Sequence, residues 1–262
     1  FCKSIDINIK QTRSTAILNS LSIGIKGAAK YFNSKKPDLI ILLGDRYEIL
    51  PIAIASIYNN IKIAHIHGGE VTSGSIDDII RHSITKFSHF HFVSTNIYKK
   101  RVIQLGENPS FVFNVGALGA ENVKKIKLLD KKKLKKKLDI NFDKYIFLIT
   151  INSFIEQNIS IQLFLKNIFL TLKKFNNTTF IFTMPNSDLK SDFIKNRILN
   201  FCKSNKNAFF FKSMGAQNYL SCMKICDVVL GNSSSGILEA PSLEKSTVNI
   251  GDRQNGRVQA NS

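Results

Sequence analysis

The sequence lacks the marks of a membrane-spanning or exported chain. No apolar run approaches the roughly 18 residues that cross a bilayer, and no basic, apolar and small-residue signal opens the chain. Its four cysteines, Cys2, Cys202, Cys222 and Cys226, form no C-x-x-C pair. Such scattered cysteines favour burial as small apolar groups in a reducing compartment over a disulfide framework or a metal centre. We therefore predict a cytoplasmic protein without a membrane partner.

Acidic residues and arginines are both scarce. The 262 residues include 19 Asp and Glu against 37 Lys and Arg, and a net charge of +18 would suit a nucleic acid. However, only seven of the basic residues are Arg, the side chain that reads bases and phosphates through its fork. Nine lysines fall within residues 124–137 alone. This uneven, Lys-dominated charge predicts no nucleic-acid partner.

The Lys-rich segment separates two halves of similar length. Its KKKLKKKL run places Leu134 and Leu138 four residues apart, which predicts a short surface helix with a thin apolar seam. An anion-binding patch is an alternative to a solvated linker helix. We predict an incomplete N-terminal domain over 1–123, a linker helix over 124–140 and an incomplete nucleotide-binding C-terminal domain over 141–262. The chain opens without Met and lacks a closing element, so we expect a fragment truncated at both ends.

Short, continuously apolar runs alternate with amphipathic stretches in both halves. Runs that are apolar throughout indicate parallel strands buried on both faces. The predicted strands are 38–43, 61–66, 90–94, 110–113, 145–151, 178–183, 208–211, 227–230 and 247–250. The predicted helices are 15–32, 47–59, 76–88, 96–105, 160–175, 188–203, 215–225 and 234–241. This alternation predicts an α/β fold with parallel sheets and right-handed crossovers.

Ionisable residues follow two strands of the first half. Asp45 and Arg46 come directly after DLIILLG, where they suit a polar ligand, although Asp45 could equally cap a helix. The stretch 65–82 packs three His, three carboxylates, Arg81 and three Gly into one loop and helix start. That density favours a functional site. Its plainer alternative is an Asp77–Arg81 ion pair on the helix.

A metal site is conceivable in the same stretch, because His65 and His67 share one face of a strand. The distance in sequence to the carboxylates is not a specific metal spacing. We therefore predict no metal.

The second half offers an anion site. Residues 231–236, GNSSSG, place small hydroxylated side chains and backbone N–H groups at a predicted helix start, which favours phosphate, although helix capping explains Ser233 alone equally well. Glu239, one to two turns into that helix, could accept hydrogen bonds from sugar hydroxyls. Arg253 and Arg257 follow the next strand and could neutralise a diphosphate. The combination favours a nucleotide diphosphate.

Several long motifs, in order along essentially the whole chain, resemble the hydrolysing UDP-N-acetylglucosamine 2-epimerases of sialic-acid and related nonulosonic-acid biosynthesis. They are GDRYEILPIAIA, HIHGGEVTSGSIDDIIRHSITKFSHFHFVST, RVIQLGENP, VFNVGALG, GNSSSGILEAPS and NIGDRQNGR. The resemblance implies two Rossmann-like domains of the glycosyltransferase-B type, an active site in the interdomain cleft and a homo-oligomer, either a dimer or a tetramer. It also implies a reaction without metal or redox cofactor.

In the implied reaction, UDP leaves UDP-N-acetylglucosamine as the C2 proton is lost, and water then adds with inversion at C2 to release N-acetylmannosamine. By motif position, Asp45 and Asp77 would be catalytic carboxylates, and Arg46 and Arg81 supporting cations. The same resemblance assigns the nucleotide to a further set of residues. Phosphate would be held by Ser233 and Ser234, ribose by Glu239, and the diphosphate region by Arg253.

Two positions depart from the family pattern. Well-studied members have a catalytic Glu where this sequence has His67, so HIHGGE resembles instead the legionaminic-acid branch, which acts on a GDP-linked 2,4-diacetamido sugar. His67 or Glu70 would then take the base or acid role. In the second domain, the family motif H-P-V-T is replaced by residues 151–154, INSF, so Asn152 stands where a catalytic His is expected.

These observations predict a hydrolysing nucleotide-sugar 2-epimerase whose partner is a nucleotide sugar. The substrate that we predict is UDP-N-acetylglucosamine. A GDP-linked diacetamido sugar is the alternative substrate. The non-hydrolysing 2-epimerases share the fold, but GGEVTSGSIDD argues against them. A glycosyltransferase would rest on fold analogy alone. Asn152 and the truncation keep open a catalytically impaired nucleotide-binding homologue.

Overall fold

The structure, a computed structural model, describes residues 4–7, 14–72, 75–154 and 159–260. The chain forms two compact units, Phe1–Leu118 and Gly119–Ser262, each built on one parallel sheet. The division lies five residues before the predicted boundary at residue 123, and the Lys-rich segment belongs to the second unit. None of the helices in the described ranges is long and apolar enough to cross a membrane.

The first unit is a four-stranded sheet whose strands pair in sequence order. They are β1 (Leu39–Leu43), β2 (Lys62–Ile66), β3 (Phe90–Val93) and β4 (Val112–Asn114). The helices are α1 (Ser14–Lys35), α2 (Leu50–Tyr58), α3 (Asp77–Phe87) and α4 (Asn96–Gln104). Side chains such as Ile63 and Ile84 are fully buried between sheet and helices. The prediction of burial on both faces is wrong for β1, where Leu39, Ile41 and Leu43 are 43%, 65% and 54% exposed and only Leu42 is buried.

The second unit is a five-stranded sheet with the order β7-β6-β5-β8-β9. Its strands are β5 (Tyr145–Thr150), β6 (Thr178–Thr183), β7 (Ala208–Phe211), β8 (Val228–Gly231) and β9 (Ser246–Asn249). The helices from the division onward are α5 (Leu118–Lys125), α6 (Lys131–Leu138), α7 (Ile161–Leu172), α8 (Ser191–Ser204), α9 (Gly215–Ile225) and α10 (Ser235–Leu238). This order is that of a Rossmann half-sheet, and its direction reverses between β5 and β8. Ligands of such sheets bind at that switch point.

All nine strands in the described part of the chain begin and end within two residues of the predicted bounds. The helix predicted over 234–241 is different, because α10 has only four residues and is followed by a 3₁₀ turn, Pro241–Leu243. Pro241 has no N–H to continue the helical bonding and its ring crowds the preceding turn. The prediction that Glu239 lies inside this helix is therefore wrong, since Glu239 caps its end.

The short helix predicted at KKKLKKKL forms as α6, but it covers Lys131–Leu138 rather than the predicted 124–140. Leu134 is fully buried in the core of the second unit, and Leu138 packs beside it, while the lysines are exposed. Asp130 caps the helix by accepting from the N–H of Lys133. The preceding helix α5 was not predicted. Of the cysteines, Cys222 and Cys226 are buried as expected, whereas Cys2 lies outside the described residues.

Gly231 marks a close approach of the two strands at the switch point. It pairs with Thr150 across the β5–β8 ladder, and its φ of +138° is a conformation that side chains rarely adopt. A Cβ at this position would overlap the carbonyl oxygen of Thr150. The carboxyl ends of β5 and β8 can meet this closely only with glycine there.

We expect Gly231→Ala to lower the free energy of unfolding by about 3 kcal/mol or more, because both the backbone conformation and the Thr150 carbonyl oppose it. Gly215→Ala is the matched control, since Gly215 also has a positive φ (+68°) but open space around it. It should cost only about 1–2 kcal/mol. Urea unfolding followed by circular dichroism compares the two, and equal losses would contradict the role of the close approach.

Candidate active site

The loop after β1 turns back towards β2 at Gly44. Its φ is +82°, its N–H donates to the carbonyl of Ile66 at 3.0 Å, and its own carbonyl accepts from Nε2 of His65 at 2.7 Å. Both backbone groups of Gly44 are thus tied to β2. The next residue, Asp45, is delivered to the carboxyl edge of the sheet.

Arg81 lies under this loop as the largest fully buried side chain of the described residues. Its Nη2 donates to the carboxylate of Asp45 and to Oγ1 of Thr72 at 3.0 Å. Its Nη1 donates to the Glu70 carbonyl at 2.9 Å and to Asp78 Oδ1 at 3.2 Å. One guanidinium therefore connects helix α3 with the loops after β1 and β2.

Asp77, the other predicted catalytic carboxylate, opens helix α3. It is 4% exposed, and its Oδ1 lies 3.4 Å from Nη1 of Arg46. Arg46 also reaches Glu48 at 3.4 Å. The two plainer alternatives were an Asp77–Arg81 ion pair and a helix cap by Asp45, and the contacts of these residues are different. Arg81 pairs with Asp78 one turn back and with Asp45, and the cap position before the 3₁₀ turn is Arg46, which makes no side-chain capping bond.

His67 and Glu70 form a pair immediately after β2. His67 has a φ of +66°, unusual for a residue with a side chain, and its Nδ1 lies 2.7 Å from Oε1 of Glu70. Glu70 is 3% exposed and also accepts from Ser94 Oγ at 3.3 Å. Because an ionised carboxylate can only accept, Nδ1 carries the proton and Nε2 is left as the acceptor. This arrangement can move a proton at Nε2.

His65 is buried and fully engaged. Besides the Gly44 carbonyl, it contacts Oγ1 of Thr85 through Nδ1 at 3.1 Å. Burial lowers the pKa of His65 to about 4, although the Gly44 carbonyl opposes the shift. The imidazole is therefore neutral near pH 7. Within the described ranges, no three His, Cys, Asp or Glu side chains are grouped to hold a metal ion.

In the second unit, two asparagines bridge the switch point. Asn152 follows β5, and its N–H donates to Oδ1 of Asn232 at 2.7 Å. The Nδ2 of Asn232, which follows β8, donates back to the Asn152 carbonyl at 2.8 Å. The Asn152 side chain accepts from the N–H of Asn186 at 2.9 Å. Asn152 therefore holds backbone together, and its side-chain amide does not ionise near neutral pH, so it cannot replace a histidine as general acid or base.

Arg253 lies beneath the same bridge and is 5% exposed. Its Nε donates to the Ser153 carbonyl at 3.1 Å and its Nη1 to the Asn232 carbonyl at 3.4 Å, while Nη2 is 3.9 Å from Asp188. Gln254 Nε2 donates to the same Asn232 carbonyl at 2.8 Å. The structure thus places Arg253 as a support of the loop after β8. Arg257 follows in the adjoining turn.

The serines of the 231–236 loop bond to one another. Ser233 Oγ accepts from the N–H of Ser235 at 3.3 Å and lies 2.8 Å from its Oγ. Among the described residues, no atom accepts from the backbone N–H of Ser233 or Ser234. Two adjacent N–H donors suit an anion. Glu239, after α10, lies against Gly119.

The sequence predicted the charged residues of the candidate sites in both units but not the neutral residues that bond to them. Thr72, Thr85, Ser94, Asn232 and Gln254 carried no motif of their own that distinguished them. All five nevertheless lay inside long motifs of the family resemblance, Thr72, Thr85 and Ser94 in the motif from 65 to 95, Asn232 in GNSSSGILEAPS and Gln254 in NIGDRQNGR. The length of these motifs was the available signal.

Two parallel sheets with polar groups gathered at the carboxyl ends of their strands define a Rossmann-like α/β class. The chain belongs to the UDP-N-acetylglucosamine 2-epimerase family, whose sequence profile matches residues 1–262. The predicted family is confirmed.

Relatives and a solved structure agree with this membership. GDP/UDP-N,N'-diacetylbacillosamine 2-epimerase (hydrolyzing) of Campylobacter jejuni is 41% identical over 98% of this chain and 67% of its own length. Polysialic acid biosynthesis protein P7 of Escherichia coli is 43% identical over 98% of this chain and 65% of its own. The crystal structure of Neisseria meningitidis UDP-GlcNAc 2-epimerase bound to UDP-GlcNAc has a TM-score of 0.75 at 20% identity, covering 93% of this chain and 67% of that one. The predicted fold class is confirmed, and the chain spans about two thirds of these relatives.

We expect acid to destabilise the first unit through His65. Its pKa falls from 6.5 in the unfolded chain to about 4 in the folded one, so the unfolded state takes up the proton first. Stability present above pH 6.5 is lost as the pH falls towards 4, by about 3 kcal/mol in total. Urea unfolding at about pH 7 and about pH 4.5 should show a smaller loss for His65→Gln than for the wild type. Equal acid dependence of the two proteins would contradict this.

Proposed function

We propose that this protein is a hydrolysing nucleotide-sugar 2-epimerase that converts UDP-N-acetylglucosamine to N-acetylmannosamine and UDP. The observation that carries the proposal is the set of proton-transfer groups at one sheet edge, His67 paired with Glu70 and Asp45 paired with Arg81. Family membership supports the same reaction class.

The first step requires a base and support for a leaving anion. The base removes the proton from C2 of the sugar while the C1–O bond to the diphosphate breaks, which leaves a C1=C2 double bond. His67 Nε2 is suited to this exchange, because buried Glu70 orients the ring and stabilises the imidazolium that forms. Arg46, one quarter exposed, is suited to support the departing phosphate.

The second step adds water across the double bond. The hydroxyl of water goes to C1 and a proton goes to C2 from the opposite face, so that C2 is inverted. One group must accept the proton of water and another must supply the proton to C2. We assign this exchange to Asp45 and Asp77 together with His67. Arg81 and Arg46 hold the two carboxylates in place.

The second unit supplies the nucleotide-binding groups in this proposal. The N–H groups of Ser233 and Ser234 would hold phosphate, and Glu239 would accept from the ribose hydroxyls. Arg253 would act by holding the Asn232 carbonyl, and with it the loop after β8, in place. Arg257 is the remaining cation for the diphosphate.

The identity of the sugar has a second candidate. The Campylobacter jejuni relative is named for N,N'-diacetylbacillosamine linked to GDP or UDP, and it shares 41% of aligned residues with this chain. A second acetamido group on the substrate is therefore the alternative. The engaged amide of Asn152 favours a third possibility, a homologue that binds nucleotide without turnover.

The test is to incubate the protein in D₂O with UDP-N-acetylglucosamine, and separately with UDP- or GDP-linked N,N'-diacetylbacillosamine, and to follow proton NMR. We expect the free 2-epimerised sugar, free nucleoside diphosphate and deuterium at C2, because the C2 proton is exchanged with solvent. A 2-epimer still linked to its nucleotide would refute hydrolysis. Nucleotide binding without any released sugar would favour the binding homologue.

We expect Glu70→Gln to lower kcat by about 10²-fold or more, because the neutral amide no longer stabilises a charged His67. Glu107→Gln is the matched control. Glu107 also contacts a buried histidine, His91, at 3.1 Å, but it lies beyond the end of α4 and pairs with Lys86 in the last turn of α3. Steady-state kinetics of both variants on the active substrate should separate them, and similar kcat values would refute the role of Glu70.

A further inference from the structure

Two fully buried polar side chains beside the candidate active site take no part in the proposed chemistry. His65 and Thr85 are both 0% exposed, and they lie 3.1 Å apart through Nδ1 and Oγ1. His65 reaches the Gly44 carbonyl at 2.7 Å on its other side. Thr85 Oγ1 also lies 3.0 Å from the Arg81 carbonyl. The four residues form one continuous chain of contacts, here called the Gly44–Arg81 relay.

The direction of the hydrogen bonds follows from the chemistry of the groups. The Gly44 carbonyl can only accept, so Nε2 of His65 must carry the proton. A neutral imidazole that donates from Nε2 can only accept at Nδ1. The Thr85 hydroxyl therefore donates towards His65, and its single proton is shared between Nδ1 and the Arg81 carbonyl, which can also only accept. The Gly44 carbonyl sets the tautomer of His65.

The relay ends at both partners of one catalytic contact. Gly44 directly precedes Asp45, and Arg81 donates to the Asp45 carboxylate. The backbone on each side of the Asp45–Arg81 pair is thus tied to the same two buried side chains. A change in His65 or Thr85 would move the carboxylate without touching it.

We propose that His65 and Thr85 are positioning residues that hold the Gly44 peptide, and through it the Asp45 carboxylate, in the geometry required for proton transfer. This inference rests on the proposed function. It extends the site from charged groups at the sheet edge to a neutral pair inside the unit. Displacement of a catalytic group by about 1 Å costs about 10²-fold in rate, so the pair should be visible in kcat.

The first unit contains a matched histidine that lacks this connection. His91 is in register with His65 on the neighbouring strand and is 1% exposed. It bonds to Glu107 rather than to the loop after β1. A substitution at His91 therefore disturbs a comparable buried position without disturbing Asp45. For Thr85, the match is Thr179, also 0% exposed, in the second unit.

The test compares kcat, KM and UDP affinity in four variants. Thr85→Val keeps the shape of the side chain but removes the donor to His65, and we expect kcat to fall about tenfold or more with KM and the Kd of UDP unchanged. Thr85→Ser, which restores the hydroxyl, should recover most of kcat. His91→Gln and Thr179→Val should leave kcat within about twofold of the wild type, even where they lower the unfolding midpoint by as much as Thr85→Val.

Each other outcome counts against the inference. Wild-type kcat in Thr85→Val would overturn it while leaving the proposed function intact. An equal fall of kcat in His91→Gln, or a fall in Thr85→Val that Thr85→Ser does not reverse, would show a purely structural role. No turnover of any nucleotide sugar by the wild-type protein would overturn the proposed function and this inference together.

Discussion

The burial of the Arg81 guanidinium is the constraint on which the first unit's site depends. An unpaired buried charge costs several kcal/mol, and the cost is offset only where the surrounding groups supply good hydrogen-bond geometry. Asp45, Asp78 and Thr72, with the Glu70 carbonyl, supply it at the two terminal nitrogens, while Nε has no partner among the described residues. The loops after β1 and β2 therefore cannot relax independently of helix α3. The geometry of the candidate catalytic groups on these loops is therefore set by an arginine that solvent does not reach.

The second unit joins its strand ends with neutral groups instead. Asn152 and Asn232 exchange two bonds across the switch point, and Arg253, a buried cation beneath them, donates to backbone carbonyls. Neutral amides leave the loop geometry insensitive to pH and do not repel a phosphate. Carboxylates in the same place would repel it. The ion pairs of Arg81 in the first unit thus suit proton transfer. The Asn152–Asn232 bonds in the second unit suit anion binding.

The sequence predicted the fold better than the contacts of the site. Strands of parallel sheets are continuously apolar, so each strand could be predicted from one short run of residues. The helix predicted over 234–241 was too long, because Pro241, six residues after the start of α10, outweighed an otherwise helical pattern. Pairing was harder, since Arg81 meets Asp45 across 36 residues and no local spacing encodes that contact. The role of Thr85 could not be predicted for another reason. A threonine in an amphipathic helix can have many roles, and only its 3.1 Å distance to His65 indicates that it bonds to that side chain.

His67 shows how an imidazole can stand where relatives of known chemistry are expected to have a carboxylate. A lone histidine would lack the negative charge that a base of that type brings to the site. Glu70 restores the charge one group further back, at 2.7 Å from Nδ1, and is itself 3% exposed and held by Ser94. The left-handed backbone of His67, at φ +66°, is a strained conformation that persists only when its surroundings maintain it. The pair keeps the net charge of a carboxylate and leaves Nε2, on the far side of the imidazole ring, as the proton-accepting atom, so the capacity for proton transfer that the proposed reaction needs is retained.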